Sequence, residues 1–365
     1  MPPLPRQTRG SKLMRLALMV LMVQQIMSGD GAASDMSSSH DEDPTPATGD
    51  IPALVQQLSP GSSDGLQQQA AQALFDLARS AGKAESIVAA GAIPPLVQLL
   101  GPGSPHQLQQ SAAGALMILA LNAKNTVTIV AAAGAIPSLV QLLEPGSPAP
   151  AQHDAAGALL VLAQDTENRV TIAAAGAIPS LVHLLGPGSS TLVRQNAAGA
   201  LVGLALNADN KVTITAAGAI PPLVHLLQPE SSAQLQKSAA GAMMNLADNA
   251  DNAVTIPAAG AIPLLVHLLM PGSTAPTQQN AAGALMYLAP NAQNKVTIAA
   301  AGAIPPLVRL LGPKSLATVQ EYAAGTLLNL AGSAENAFDC RAPHCNLMCI
   351  KHWRGAQTEL LRFDW

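Results

Sequence analysis

The chain has 365 residues, of which 49% are hydrophobic, 11% charged and 2% aromatic, and its formal net charge is −4. So few cations exclude the clustered Lys and Arg that non-specific nucleic-acid binding needs, and so few aromatics leave little for base-stacking platforms. No run reaches the roughly 18 apolar residues of a membrane span, and all three cysteines fall in the last tenth of the chain, so no disulfide framework shapes its body.

Residues 1–33 stand apart from the rest of the chain. Arg6, Arg9, Lys12 and Arg15 precede an apolar run from Leu16 to Val23, no acid appears before Asp30, and Gly31-Ala32-Ala33 has the small residues of a cleavage site. Two readings stay open: a targeting sequence (secretory signal or organelle transit peptide), or a basic, Met-rich helix that caps the first repeat. Residues 34–50, with Ser37 to Ser39 and Asp41 to Asp43, read as an acidic disordered linker.

Residues 51–336 are a repeat array. Gly-Ala-Ile-Pro recurs with its Ile at Ile93, Ile136, Ile178, Ile220, Ile262 and Ile304, at intervals of 43, 42, 42, 42 and 42 residues. An incomplete copy starts at Ile51-Pro52, where Asp50 replaces the Ala. The array is therefore six full 42-residue repeats plus a partial one. Within one unit the spacing predicts a helix from Ala92 to Leu100, opened by prolines whose missing N–H costs nothing there. Gly101-Pro102-Gly103-Ser104 ends it. A longer Ala/Leu/Met-rich helix comes next over about 107–121, and a short one starts at Asn125 and closes on Gly134 at a C′ position. Each unit is expected to hold one short helix and two longer ones. The tail, residues 337–365, departs from the pattern. No single unit buries its Leu/Val/Ala face alone, so neighbours must stack on one continuous core.

The units resemble armadillo repeats. The likeness rests on the Gly91 to Leu100 run GAIPPLVQLL and its copies, on Ala112 to Ala120 (AAGALMILA) and its copies, and on the NKVTI entries at Asn210 to Ile214 and Asn294 to Ile298. It implies an all-α fold, a right-handed α-α superhelix or armadillo solenoid, whose third helices line a groove for partner proteins, often in extended form.

Aligned third helices show two variable columns seven residues apart, and hence on one helical face. One reads Gln69, Ser111, Asp154, Asn196, Ser238, Asn280, Tyr322; the other reads Asp76, Ile118, Val161, Gly203, Asn245, Tyr287, Asn329. Asn196, Asn245, Asn280, Tyr287, Tyr322 and Asn329 are the candidate partner-binding residues, because they carry the most hydrogen-bonding and aromatic capacity. Variation at these columns suggests that the side chains are not needed for packing. Between them runs a glycine column, Gly114, Gly157, Gly199, Gly241, Gly283 and Gly325. Mid-helix glycines cost about 1 kcal/mol each against Ala; close helix approach, a groove floor and inheritance by duplication are the candidate reasons for keeping them. In import-type armadillo proteins this position is typically Trp, which is absent here from every unit. That departure argues against basic nuclear-localisation peptides, as does a groove whose main carboxylates are Asp76 and Asp154. The resemblance is closer to catenin-like or plant-type cytoplasmic scaffolds.

His183, His225 and His267 form one column, and equivalent positions in stacked repeats lie about 10 Å apart, too far to share a metal. His106 and His153 read as solvated. Cys340, His344, Cys345, Cys349 and His352 match no trusted zinc spacing. No nucleophile–base pair or phosphate loop stands out, so no enzyme activity, cofactor or metal is expected. The expected function is a non-enzymatic protein–protein interaction scaffold with a protein or peptide partner, no nucleic acid and no integral membrane span. The chain is expected to be a cytoplasmic monomer, with the secretory pathway or an organelle as the alternative if residues 1–33 are cleaved. The rival functions are a substrate-recognition adaptor in ubiquitination and a structural solenoid near a membrane that associates end to end.

Overall fold

The computed structural model describes residues 50–80 and 82–332. The expected N-terminal segment and almost all of the acidic linker, as well as the Cys/His tail, lie outside the described residues. Contacts divide the chain into two compact units, one ending at Ser138 and the other beginning at Leu139. The first holds α1 (Ile51–Gln57), α2 (Asp64–Ala78), α3 (Lys83–Ala89), α4 (Ile93–Leu99), α5 (His106–Ala120) and α6 (Ala123–Ala131). The boundary falls within α7 (Ala135–Gln141). The second holds α8 (Ala149–Leu162), α9 (Thr166–Ala174), α10 (Ala177–His183), α11 (Thr191–Leu204), α12 (Ala208–Ala216), α13 (Ile220–Leu226) and α14 (Ala233–Ala247). It continues with α15 (Asn252–Ala258), α16 (Ala261–Leu268), α17 (Ala275–Leu288), α18 (Ala292–Ala300), α19 (Ile304–Leu310) and α20 (Ala317–Ala331). Among the described residues all regular structure is helical, apart from one isolated bridge between Pro271 and Ser273. The fold class is all-α, as expected.

Each repeat is punctuated by its own chemistry. The first helix opens on Asn122, Asp165, Asn207 or Asn291, whose side chains accept hydrogen bonds from N–H groups two or three residues on. It ends on a glycine in the left-handed region, for example Gly218 at φ 78° and Gly302 at φ 79°. There the Ala219 and Ala303 N–H groups reach back to the Ile214 and Ile298 carbonyls at 3.3 Å, a Schellman closure. Ile-Pro then starts the second helix. It runs only seven or eight residues before the Gly- and Pro-rich turn stops it, so a unit has two short helices and one of 14 or 15 residues. That corrects the expected pair of longer helices: the turn cuts the Ala-Ile-Pro helix after two turns.

The isoleucine of each first helix anchors the core: Ile87, Ile129, Ile172, Ile214, Ile256 and Ile298 are all 0% exposed. The Ala-Ala pairs of the second unit's third helices from α8 to α17, such as Ala239–Ala240, are equally buried, and their small side chains let these helices approach closely. Two polar columns tie the helices together. Asn125, Asn168, Asn210, Asn252 and Asn294 each donate from Nδ2 to the carbonyl six residues upstream, at 3.0 to 3.2 Å, satisfying the C-terminal end of the preceding third helix. Gln109, Gln278 and Gln320 donate from Nε2 to two carbonyls at the end of the second helix, as in Gln109 to Leu100 at 3.3 Å and Gly101 at 2.8 Å.

Candidate functional site

The second unit presents five third helices, α8, α11, α14, α17 and α20. On α14 the residues Lys237, Gly241, Met244 and Asn245, with Asp248 at its C-cap, follow helical spacing and share one stripe. The corresponding stripe is Gln279, Gly283, Met286, Tyr287 on α17 and Glu321, Gly325, Leu328, Asn329 on α20. All six candidate residues are half-buried, which leaves part of each side chain open to a partner.

The asparagines also hold the repeats together. Asn196 donates from Nδ2 to the His153 carbonyl at 2.9 Å, Asn245 to Val202 at 2.9 Å, Asn280 to Lys237 at 2.9 Å and Asn329 to Met286 at 3.5 Å. Each bond crosses to the third helix of the preceding repeat and uses one of the two amide N–H groups, with Oδ1 remaining as an acceptor. Packing independence, inferred from the variation of these columns, therefore does not hold for the asparagines.

The glycine column has a steric cause. A Cβ at Gly199 would stand 3.0 Å from Leu160 Cδ1; at Gly241, 3.4 Å from Val202 Cγ2 and 3.0 Å from Asn280 Nδ2; at Gly325, 2.8 Å from Met286 Sδ. At Gly283 a Cβ would collide outright with Met244 Sδ and crowd Tyr322 Cδ2 at 3.2 Å. In each case the large apolar residue 39 positions upstream lies over the next third helix and fills the hollow that glycine leaves. Close approach is thus the reason for glycine at these four positions of the column, where the chain's own Leu160, Val202, Met244 and Met286 fill the hollow. Sequence reasoning passed over these four residues; the signal was a large apolar residue standing one glycine offset away in every copy.

Electrostatics mark the far end of the stripe. Burial raises the Tyr287 hydroxyl above its ordinary pKa, and the nearby carboxylates of Asp248 and Glu321 push it the same way. Burial, Tyr287 and Glu321 do the same to Tyr322. The structure therefore brings Tyr287 and Tyr322 together beside Glu321, whereas Asn196 sits on α11, outside that cluster. Asp248 is itself held by Lys211 Nζ at 2.6 Å. Lys237 is half-buried, and burial lowers its ammonium below the usual lysine pKa.

The armadillo/β-catenin-like repeat model matches residues 165–205, 207–248, 249–289 and 291–332. Among solved structures, an engineered protein is 32% identical with a TM-score of 0.70, over 78% of this chain and 69% of that one. Computationally designed armadillo repeat proteins for modular peptide recognition are 30% identical with a TM-score of 0.59, over 65% of this chain and 99% of that one. The chain belongs to the armadillo-repeat family. The sequence matches no curated protein.

Within this armadillo array the histidine column behaves as expected: His183, His225 and His267 are exposed. His153 is not solvated. It is half-buried and its Nδ1 lies 2.9 Å from Asp154 Oδ1. Asp154, counted among the groove carboxylates, is buried, and that burial raises its pKa against the opposing hydrogen bond and charge of His153. Among the described residues no group of His, Cys, Asp and Glu is arranged to hold a metal ion, and no single helix is long and apolar enough to cross a membrane.

Proposed function

We propose that this armadillo protein is a non-enzymatic interaction scaffold that holds an extended segment of a partner protein along the third-helix stripe of residues 191–332. The observation that carries this reading is the half-exposed row of Asn245, Met286, Tyr287, Tyr322 and Asn329 along the glycine column. Amide and phenol groups at that degree of exposure recognise a polypeptide backbone by hydrogen bonds, and the thioether and rings supply apolar contact. The peptide recognition named for the designed armadillo neighbours points the same way.

Four third helices at a spacing of 8–10 Å give a stripe about 25–30 Å long, which accommodates roughly eight or nine residues of extended chain. Affinity purification with the full chain, followed by mass spectrometry, identifies the partner; a ligase component among the retained proteins would make the scaffold a ubiquitination adaptor. The change of Tyr287 to Ala, which removes none of the asparagine bonds between repeats, should weaken that partner at least tenfold while helical content stays the same, and undiminished binding would discard the site. The same proposal places the protein in the cytoplasm as a monomer, and recovery of a chain that begins at or after Ala33 from its native cells would overturn that compartment.

A further inference from the structure

The charges on the proposed binding stripe are few and unevenly paired. Asp248 is neutralised by Lys211, and Asp154 is buried against His153. Two opposite charges remain in one and the same column, two repeats apart: Lys237 on α14 and Glu321 on α20, with the neutral Gln279 between them on α17. Neither makes an ion pair with a described residue. Lys237 is half-buried without a counter-charge, a costly state that an incoming anion relieves. In the column itself the residue between the two charges is the neutral Gln279, and two turns further along α14 and α17 the stripe continues with the uncharged Met244, Asn245, Met286 and Tyr287.

Resting on the scaffold function proposed for this stripe, we infer that the bound segment is bipolar: an anionic side chain, carboxylate or phosphate, pairs with Lys237, and a cationic side chain about five or six residues along pairs with Glu321. The spacing follows from two helix steps of 8–10 Å divided by about 3.3 Å per extended residue. Uncharged residues fill the interval, where the column offers only the amide of Gln279. Such a ligand is fixed in direction, because reversing the chain puts like charges together.

The test is selection of a random 12-residue displayed peptide library on the full-length protein, followed by anisotropy measurements on the enriched peptides. The expected result is an acidic and a basic residue separated by five or six positions, always in the same order. Lys237→Gln and Glu321→Gln should each weaken such a peptide on the order of tenfold. Lys237→Gln restores the residue that its column carries at Gln195 and Gln279, so folding is not at issue. Lys237→Glu should lose the peptide and regain it when the acidic residue of the peptide is replaced by Lys. A phosphoserine in place of the carboxylate should bind more tightly if the anion is a phosphate and more weakly if it is not. Enriched peptides that ignore Lys237 and Glu321 but lose affinity to Asn245→Ala and Tyr287→Ala would overturn this inference and leave the scaffold reading standing. Peptides indifferent to all four positions, or no enrichment, would overturn both.

Discussion

Arg194 occupies the column in which other repeats place Gln, and its Nε is buried with no hydrogen-bond partner. Glutamine there, by analogy with Gln109 and Gln278, would reach the Leu185 and Gly186 carbonyls at the end of α10. Arg194→Gln should therefore raise stability by about 1 kcal/mol, read as a higher urea midpoint at constant slope. Asp154 gives a pH-dependent counterpart. Its folded-state pKa is raised, so the folded chain holds that proton more tightly than the unfolded one, and stability is lost as pH rises from the ordinary carboxylate value through the folded one. Asp154→Asn, which installs the residue found at Asn196 and Asn280, should stabilise by about 1 kcal/mol at pH 7. That gain should fade as pH falls below about 4, where the unfolded Asp is protonated too; an advantage that persisted in acid would show that burial of the charge is not its cause. Arg194 is readable in the sequence as a departure from a Gln column, whereas Asp154 stands in a variable one; the burial that makes each costly is visible only in the structure.

At the scale of the helix, the glycine column turns a weak helix former into a packing device. Met244 lying over Gly283 is a knob in a hole, so Gly283→Ala should destabilise by about 1–3 kcal/mol despite the better helix propensity of Ala. Met244→Ala on its own leaves a void, and the double variant should cost less than the sum of the two single changes, because Ala at 283 then grows into vacated space. Additive effects by thermal denaturation would refute the contact. Helix boundaries were largely legible: prolines at the first turn, Gly at C′ and the Gly-Pro-Gly stop act locally, within a few residues. The second helix is placed to within a residue at each end, Ala92 to Leu100 against Ile93–Leu99, and only its grouping with the longer helices fails.

For the molecule as a whole, a repeat architecture implies nearest-neighbour energetics and interchangeable units. Gly218 and Gly260 precede the same Ala-Ile-Pro step, so deletion of residues 219–260 removes one 42-residue period and rejoins like to like. The shortened chain should keep its helical signal per residue, unfold cooperatively and show a smaller urea slope in proportion to the surface lost. A collapse of helicity would mean that repeats 42 residues apart are not equivalent.

The amino-acid sequence determined the period, the helical class and the buried Ile, Leu and Ala columns, since all three follow from spacing and local propensity along a single chain. Only the tertiary structure decided why glycine recurs in mid-helix, which asparagines are stapled to the preceding repeat, and which charges are left without a partner. The physical reason is distance along the chain: those contacts join residues 39 to 43 positions apart, and they exist only once one repeat has stacked on the next.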